Sequence, residues 1–487
     1  MNVLDLPWDI LHDIFLHFRD PRVSTHPGES GWNWQLLGNT AHDDDESVRI
    51  QSVKNARLVC RLFNRAASPH LVPWVLVSVS RTSLARVDQI SRNPYIASGV
   101  RGIKIDASYY PRELADDIER FAARQRHDLQ DEEGYISTYF GDEDEEEARA
   151  NCAFIIKAWV NALSATASGT GSRKSSEYQT LLRDVHSEFR RRHSEVSALV
   201  ADGSFASSLA QAISRMPAFS SLWIDDKNPR STRNMHDPLE TFNNRASLVN
   251  FLVSPFRWCD IEKPVRGHGA TPEEGMELSI ARLILDLPIA IHQAGVFIRD
   301  LQIWVFPRLL RNRSLLDPTG RDQELRDAFQ QLERFQLIDK ASRTFGRESA
   351  IPPERLAPSD RYLAAAVSPP TLRTLRLRFP RSVPYWTRYP AASFIPAVTS
   401  NHLTILALEG ALVRQSDLDR LCGRLDAQPT FIELSALTLQ SGRWSPILDA
   451  VRRNTEALCA EKKCRVRLAE LVGGEFGEQE RCAYVSD

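Results

Sequence analysis

The apolar positions at the start of the chain repeat with the period of an α-helix. Between residues 6 and 18 they fall on one helical stripe, formed by Leu6, Ile10, Leu11, Ile14, Phe15 and Phe18. Pro7 fits a first helical turn, and the Asp20–Pro21 pair ends the pattern. A second stripe predicts a helix over residues 53–67, with Pro69 beyond it. Helices this short have to pack on each other, on the following domain or on a partner helix.

A different pattern recurs beyond residue 70, in which apolar residues are spaced as apolar-x-x-apolar-x-apolar. It occurs at Val72/Val75/Val77, Val100/Ile103/Ile105, Phe219/Leu222/Ile224, Ile298/Leu301/Ile303, Leu372/Leu375/Leu377, Leu403/Leu406/Leu408 and Leu434/Leu437/Leu439. The last three copies begin about 31 residues apart, a spacing typical of solenoid repeats. Helical segments lie between them, at residues 416–425 for example. A strand–helix unit cannot bury its apolar face alone, so neighbouring units are expected to stack.

These patterns predict an α/β protein. Residues 1–70 form a small helical module with an inserted loop at about 20–49, and residues 71–487 form an irregular repeat region with helical insertions. Polar and acidic stretches at 126–147, 164–176, 225–244 and 262–274 are expected to be surface insertions. A compact α/β sandwich is the alternative architecture.

Composition narrows the class of protein. The chain of 487 residues is too long for one ordinary core, and 61 Lys+Arg against 63 Asp+Glu give no overall field that would attract nucleic acid or a membrane. Seven scattered cysteines are typical of reduced thiols in the cytoplasm and/or nucleus. The chain shows no signal-peptide pattern and no apolar run of the ~20 residues that cross a bilayer. We therefore expect neither nucleic acid nor a membrane as a partner.

Candidate chemistry is sparse. The sequence contains no nucleophile elbow, phosphate-binding loop or paired-histidine zinc motif. Gly267-His268-Gly269 does not match a dinucleotide fingerprint, and Cys459 with Cys464 lacks the further ligands of a zinc site. We expect no enzyme, no cofactor and no metal, although an unrecognised catalytic site is a third interpretation.

Two motifs in the first seventy residues resemble an F-box. LPWDILHDIF at residues 6–15 is similar to its opening, and RLVCRLFNRAA at residues 57–67 is similar to its later part. The chain departs from the family by the insert at about 20–49, which replaces a short turn and includes Trp32-Asn33-Trp34. The following region resembles degenerate leucine-rich repeats, but the Asn or Cys expected after each copy is absent. The combination resembles the expanded F-box families of filamentous fungi.

The resemblance implies a three-helix module that docks on the Skp-type adaptor of a cullin–RING ubiquitin ligase. The matching contact positions are Leu6, Pro7, Ile10, Leu11, Ile14, Val59, Cys60 and Phe63. The repeat region would then be a leucine-rich-repeat-like horseshoe that binds a protein target, and the whole chain a substrate-recognition subunit. A non-catalytic scaffold for protein assembly, without a role in ubiquitin transfer, is the alternative function.

Target binding is expected on one face of the strands. Residues between the core positions of a strand point away from the core and would line the concave face of a horseshoe. The candidate target-binding residues are Lys104, Trp223, Trp304, Arg376 and Arg378. They are charged or belong to the residue types that are enriched at binding hot spots. The alternative is that inserted helices cover this face and these side chains only pack there.

Overall fold

A computed structural model describes residues 7–17, 43–139, 143–163, 173–226, 241–242, 244–256, 279–305, 318, 320–339, 357–379 and 388–476. The chain divides into two compact units. The first contains Met1–Asp106, Gly203–Asp225 and Ala281–Asp487, and the second contains Ala107–Asp202 and Asp226–Ile280. The long interruptions in the strand pattern are therefore more than surface insertions, because they fold into a unit of their own.

The first unit begins with three helices, α1 (Trp8–Leu16), α2 (Asp43–Val59) and α3 (Arg61–Ala67). The prediction of a single helix over residues 53–67 is wrong. Cys60 interrupts it with an extended backbone (φ −163°), and its Sγ accepts a hydrogen bond from the Phe63 N–H at 3.4 Å, which caps α3. The apolar stripe continues on both sides of this cap, so periodicity does not mark the break. Residues 43–49 of the predicted loop are helical, and residues 20–42 lie outside the described residues.

Nine parallel strands of the described residues form the main sheet of the first unit, and each pairs with the next one along the chain. They are β1 (Trp74–Ser78), β2 (Gly102–Asp106), β3 (Ser221–Asp225), β4 (Asp300–Val305), β5 (Arg334–Asp339), β6 (Thr374–Arg378), β8 (Ile405–Glu409), β10 (Phe431–Ser435) and β12 (Arg465–Ala469). A smaller parallel sheet contains β7 (Tyr389–Pro390), β9 (Ala411–Arg414), β11 (Thr438–Ser441) and β13 (Val472–Gly473). The prediction of a mixed α/β fold is confirmed.

Two apolar ladders run across the main sheet without a register shift. One consists of Val75, Ile103, Leu222, Leu301, Phe335, Leu375, Leu406, Ile432 and Val466. The other consists of Val77, Ile105, Ile224, Ile303, Leu337, Leu377, Leu408, Leu434 and Leu468. All these side chains are buried, so they form one continuous core face.

The predicted strand pattern finds six of these strands in the correct frame. β5 is missing from the predicted copies although Leu332, Phe335 and Leu337 fit the pattern, and β12 is missing because Lys463 stands at its first apolar position. The last copy is placed wrongly, because Leu434 pairs with Leu408 rather than matching Leu403. Leu437 and Leu439 belong to the turn after β10 and to β11. Consequently the regular spacing of about 31 residues does not extend to β10.

Helices connect the strands and contact one another in a row. In the first unit they are α4 (Arg81–Arg92), α5 (Pro94–Ala97), α10 (Ser204–Ile213), α12 (Leu283–Gln293), α13 (Asp322–Phe329), α14 (Ala357–Val367), α15 (Gln415–Cys422) and α16 (Trp444–Ala460). The helix α10 contacts both α4 and α12, α13 contacts both α12 and α14, and α15 contacts α16. This row gives each strand–helix unit the neighbours that it needs to bury its apolar side.

A sharp corner follows each of the last three strands of the main sheet. Gly410, Ala436 and Glu470 come directly after β8, β10 and β12, and all have a positive φ (74°, 49° and 53°). The left-handed backbone costs a non-glycine residue about 1–2 kcal/mol. Neighbouring corners are also linked, since the Gly410 N–H donates to the Ser435 carbonyl and the Ala436 N–H to the Ala469 carbonyl. The corners direct the chain into the smaller sheet.

The second unit is helical among its described residues. It contains α6 (Arg112–Asp116), α7 (Ile118–Tyr139), α8 (Glu143–Leu163), α9 (Arg173–Ala201) and α11 (Arg245–Leu252). Its core includes the buried rings of Phe121, Trp159, Phe189 and Phe256. The fully buried Gln125 donates to the Leu252 carbonyl at 3.0 Å, which ties α7 to α11. Sequence patterns did not indicate this unit, since its two segments are separated by β3.

Gly99 offers a test of close backbone packing in the first unit. A Cβ at this position would lie 1.7 Å from the Pro69 carbonyl oxygen, so backbone would have to move. We expect Gly99→Ala to lower the free energy of unfolding by roughly 2–4 kcal/mol, measured by urea denaturation. Gly134→Ala is the matched control, because Gly134 lies inside α7 with open space around its Cβ position. It should stabilise by about 0.5–1 kcal/mol, and equal effects of the two variants would contradict the packing described here.

The start of α16 depends on a carboxylate that is distant in sequence. Glu475 accepts hydrogen bonds from the Trp444 and Ser445 N–H groups at 2.7 Å each and from the Ser445 hydroxyl at 2.6 Å. Burial raises the pKa of Glu475, but these hydrogen bonds outweigh it and hold the pKa at about 2. A lowered carboxyl pKa stabilises the fold above the ordinary value of about 4.3, and the contribution is lost as pH falls toward 2.

We therefore expect Glu475→Gln to destabilise the protein at pH 7 by about 1 kcal/mol, as the loss of a helix cap does. The difference between wild type and variant should shrink as the pH is lowered from about 4.3, which denaturation at several pH values would measure. Glu456→Gln is the control, because this exposed glutamate of α16 has only an i,i+4 ion pair with Arg452. A pH-independent difference for Glu475→Gln would show that the carboxylate does not cap α16.

Candidate protein-binding surfaces

The three N-terminal helices form a small core among themselves. Phe15 of α1 packs edge-on against Phe63 of α3, with ring centroids 5.4 Å apart, and Val53 of α2 lies in the same cluster. Arg57 of α2 donates from its Nε to Asn64 Oδ1 at 3.1 Å and to Ser68 Oγ at 2.9 Å. The apolar stripes of the N-terminal helices are therefore partly buried against each other.

Several aliphatic side chains of these helices remain outside that core. Of the nine large hydrophobic residues that are exposed in the described part of the chain, six belong to α1 and α2. They are Ile10, Ile14, Leu16, Val48, Leu58 and Val59. Ile10 is 47% exposed, and Leu58 and Val59 are 84% and 60% exposed. Among the described residues, exposed large apolar side chains are therefore concentrated on these two helices.

The structure divides the predicted adaptor contacts into two groups. Pro7, Ile10, Ile14 and Val59 are exposed, and Cys60 is half-buried. Leu11 is fully buried and Phe63 packs on Phe15, so neither side chain faces outward. Leu6 lies outside the described residues. The motif alone did not separate the two groups, because both fall on the same helical stripe.

The five residues predicted to bind a target all lie on one face of the main sheet, opposite the apolar ladders. Lys104, Trp223 and Arg376 stand on one line of paired residues across the strands. Trp304 and Arg378 stand on the next line. We call this surface the polar face. Its position follows from the period-2 alternation of the strands, as the sequence indicated.

Tryptophans cover the N-terminal part of the polar face. The ring of Trp74 lies over Gly102, where a Cβ would be 2.3 Å from it. Trp223 packs between Trp74 and Trp304, with ring centroids 6.5 and 4.7 Å away. The Lys104 Nζ sits 3.6 Å from the centroid of the Trp223 ring and 3.0 Å from Asp225 Oδ2. Trp223 is only 8% exposed, so it packs within the face, while Lys104 and Trp304 keep partial exposure.

Ion pairs between adjacent strands order the rest of the polar face. Arg334 binds Asp300 at 3.2 Å, Arg378 binds Glu409, and Arg467 binds Glu433 at 3.1 Å. The sequence predicted neither Asp300 nor Glu433 as part of the face. Their signal is a charge between two core positions, which becomes readable only when the strand register is known. Burial raises the pKa of Asp300, partly opposed by Arg334.

No cluster of three or more His, Cys, Asp or Glu residues in the described part of the chain could hold a metal ion. Cys459 and Cys464 are free thiols, and burial together with Cys459 raises the pKa of Cys464 to about 12. Within the same described residues, no single helix is both long and apolar enough to cross a membrane.

Comparisons of the chain with protein-family models, with curated proteins and with solved structures found no match.

Leu11 and Ile10 are neighbours in α1 that test the division between core and surface. Leu11→Ala should lower the stability of the helical module by about 2–3 kcal/mol, because Leu11 is fully buried. Ile10→Ala should change it by less than about 0.5 kcal/mol, because Ile10 is largely exposed. Native-state hydrogen exchange of α1, α2 and α3 measures both effects. If both variants lost protection equally, Ile10 would belong to the core and its exposure would be refuted.

Proposed function

We propose that the protein is a non-catalytic substrate-recognition subunit of an SCF-type cullin–RING ubiquitin ligase. In this proposal α1, α2 and α3 are an F-box that binds a Skp-type adaptor and, through it, a cullin. The polar face binds a protein target, so that ubiquitin is transferred to a captured molecule by other subunits. The protein would act in the cytoplasm and/or nucleus.

The observation that carries the proposal is the exposure of Ile10, Ile14 and Val59. These residues occupy the positions at which the F-box motifs place adaptor contacts, and they stay outside the small core that Phe15 and Phe63 form. An aliphatic surface on short helices costs free energy unless a partner covers it, at about 25 cal/mol per Å². Helix-in-groove binding, in which a few apolar anchors supply most of the affinity, is suited to such a surface.

The arrangement of the strands supports a repeat architecture for the target-binding region. Nine strands in chain order, helices that contact their neighbours and a recurring left-handed corner are the features expected of stacked strand–helix units. We propose that this region is an irregular leucine-rich-repeat-like horseshoe with the polar face on its concave side. Paired charges and tryptophans on that side are chemically suited to a protein surface.

Adaptor binding is the direct test. Titration calorimetry of the full chain with a purified Skp-type adaptor should give a submicromolar dissociation constant. Ile10→Asp should weaken binding roughly 30-fold or more, because it places a charge at an apolar anchor. Phe63→Asp is unsuitable, since Phe63 packs on Phe15 and its replacement would unfold the module.

Val160→Asp is the matched control, because Val160 is a 38% exposed aliphatic residue of α8 in the other unit. It should leave adaptor affinity unchanged. No binding by wild-type protein, with circular dichroism showing that it is folded, would refute the F-box and favour the scaffold function. Equal weakening by Ile10→Asp and Val160→Asp would refute the assignment of the surface.

A further inference from the structure

The strands β6, β8 and β10 place nine side chains on the polar face as a three-by-three grid. Its lines are Thr374, Ile405 and Phe431; Arg376, Ala407 and Glu433; and Arg378, Glu409 and Ser435. Ala407 is the central and smallest member, and it keeps partial exposure although Ile405 and Glu409 on its own strand are buried. An accessible alanine among larger residues means that the grid has a depression with the Ala407 methyl as its floor.

Arg376 and Phe431 border this depression and are also partly exposed. The guanidinium carbon of Arg376 lies 5.4 Å from the centroid of the Phe431 ring. Because Phe431 is two strands away from Arg376, the arginine side chain has to extend across the small Ala407 to reach it. The stacking leaves the edge of the guanidinium, where its hydrogen-bond donors are, available to a ligand.

Arg376 differs from the other cations of the polar face in its pairing. Lys104, Arg334, Arg378 and Arg467 each bind a carboxylate of an adjacent strand. Arg376 makes no hydrogen bond or ion pair in the described residues, and its Nε is buried. The Thr374 hydroxyl, two residues earlier on the same face, is also buried without a hydrogen-bond partner. Removing a guanidinium partly from water without a carboxylate partner is costly, and an external group that pairs with it would offset this cost.

Glu433 does not supply that group. It stands two strands from Arg376, at a backbone separation of about 9–10 Å. Its Oε1 forms an ion pair with Arg467 Nη1 at 3.1 Å, although this buried oxygen accepts no hydrogen bond among the described residues. Burial lowers the pKa of Arg376, Glu433 raises it and the neighbouring Arg378 lowers it. Of the two arginines beside the Ala407 floor, only Arg378 forms an ion pair with a carboxylate, while Glu433 acts on Arg376 from a distance.

We propose that Arg376, Thr374 and Ala407 form a subsite for a single carboxylate, supplied by an aspartate or glutamate side chain of a bound target protein. A guanidinium binds a carboxylate through two parallel hydrogen bonds. Arg376 crosses the Ala407 floor and offers one guanidinium edge, so the subsite accepts one carboxylate, and the nearby Glu433 carboxylate disfavours a dianion such as a phosphate. The proposal rests on the proposed function in taking the polar face as the target-binding surface, and it does not depend on adaptor docking.

The test uses the purified full chain and small probes. N-acetyl-glutamate N-methylamide should raise Tm by about 1–2 °C at about ten times its dissociation constant. The neutral glutamine analogue should not, and the phosphoserine analogue should give a smaller shift. Arg376→Gln and Ala407→Leu should each abolish the glutamate shift, the first by removing the cation and the second by filling the floor. Arg334→Gln, which removes a cation already bound by Asp300, should retain it.

Stability without a probe separates a binding role from a structural one. Arg376→Gln should melt at or above the wild-type Tm because it removes a partly buried cation that no carboxylate of the described residues binds. Arg334→Gln should melt lower, because the buried Asp300 then has no cation beside it and keeps only hydrogen bonds such as those from Gln302. If Arg376→Gln lost as much stability as Arg334→Gln, Arg376 would be structural and the subsite would be refuted.

Further outcomes test the existence of the subsite and the chemical class of its ligand. No shift with any probe would overturn the subsite, and a larger shift with the phosphoserine analogue would overturn its assignment to a carboxylate. If the adaptor does not bind wild-type protein but the glutamate probe raises its Tm, only the proposed function fails.

Discussion

The two apolar ladders impose the constraint on which the rest of the first unit depends. Every strand of the main sheet contributes two core residues in the same register, from Val75 and Val77 at one edge to Val466 and Leu468 at the other. A slip of one residue in any strand would turn its core side chains to the opposite face. Burial of the core residues thus fixes the register of the strands. The residues between the core positions must therefore lie on the polar face.

This constraint explains the chemistry of the polar face. Charged residues from strands far apart in sequence are brought next to each other, as Asp300 is to Arg334 and Glu433 to Arg467. A charge that is partly removed from water is tolerated when an opposite charge binds it, and breaking a buried pair costs more than never forming it. Within the grid around Ala407, Arg378 has an opposite charge bound to it, and Arg376 does not. This difference is the basis of the proposed carboxylate subsite.

How much could be predicted from the sequence depended on the range of the interactions concerned. The alternation of apolar residues located six strands and the five polar-face residues, because it reflects local geometry of the backbone. It could not find β12, where lysine and arginine residues around Val466 weaken the apolar signal, nor the frame of β10. The helical unit of residues 107–202 and 226–280 was missed because its core joins two segments on either side of β3. Likewise, periodicity could not tell Leu11 from Ile10, since tertiary packing alone makes one a core residue and the other a surface residue.

The two proposed surfaces differ in the way that binding energy would be obtained. On α1 and α2 the exposed Ile10, Ile14 and Val59 would gain by leaving water, a contribution that needs apolar contact and little directional order. On the polar face, ion pairs and ring contacts already fix the side chains, so less conformational entropy is lost when a partner binds. Fixed charges discriminate between partners because an uncompensated one is penalised. In the proposed receptor, the helices would bind the adaptor through apolar contact, and the sheet would select the target through its fixed charges.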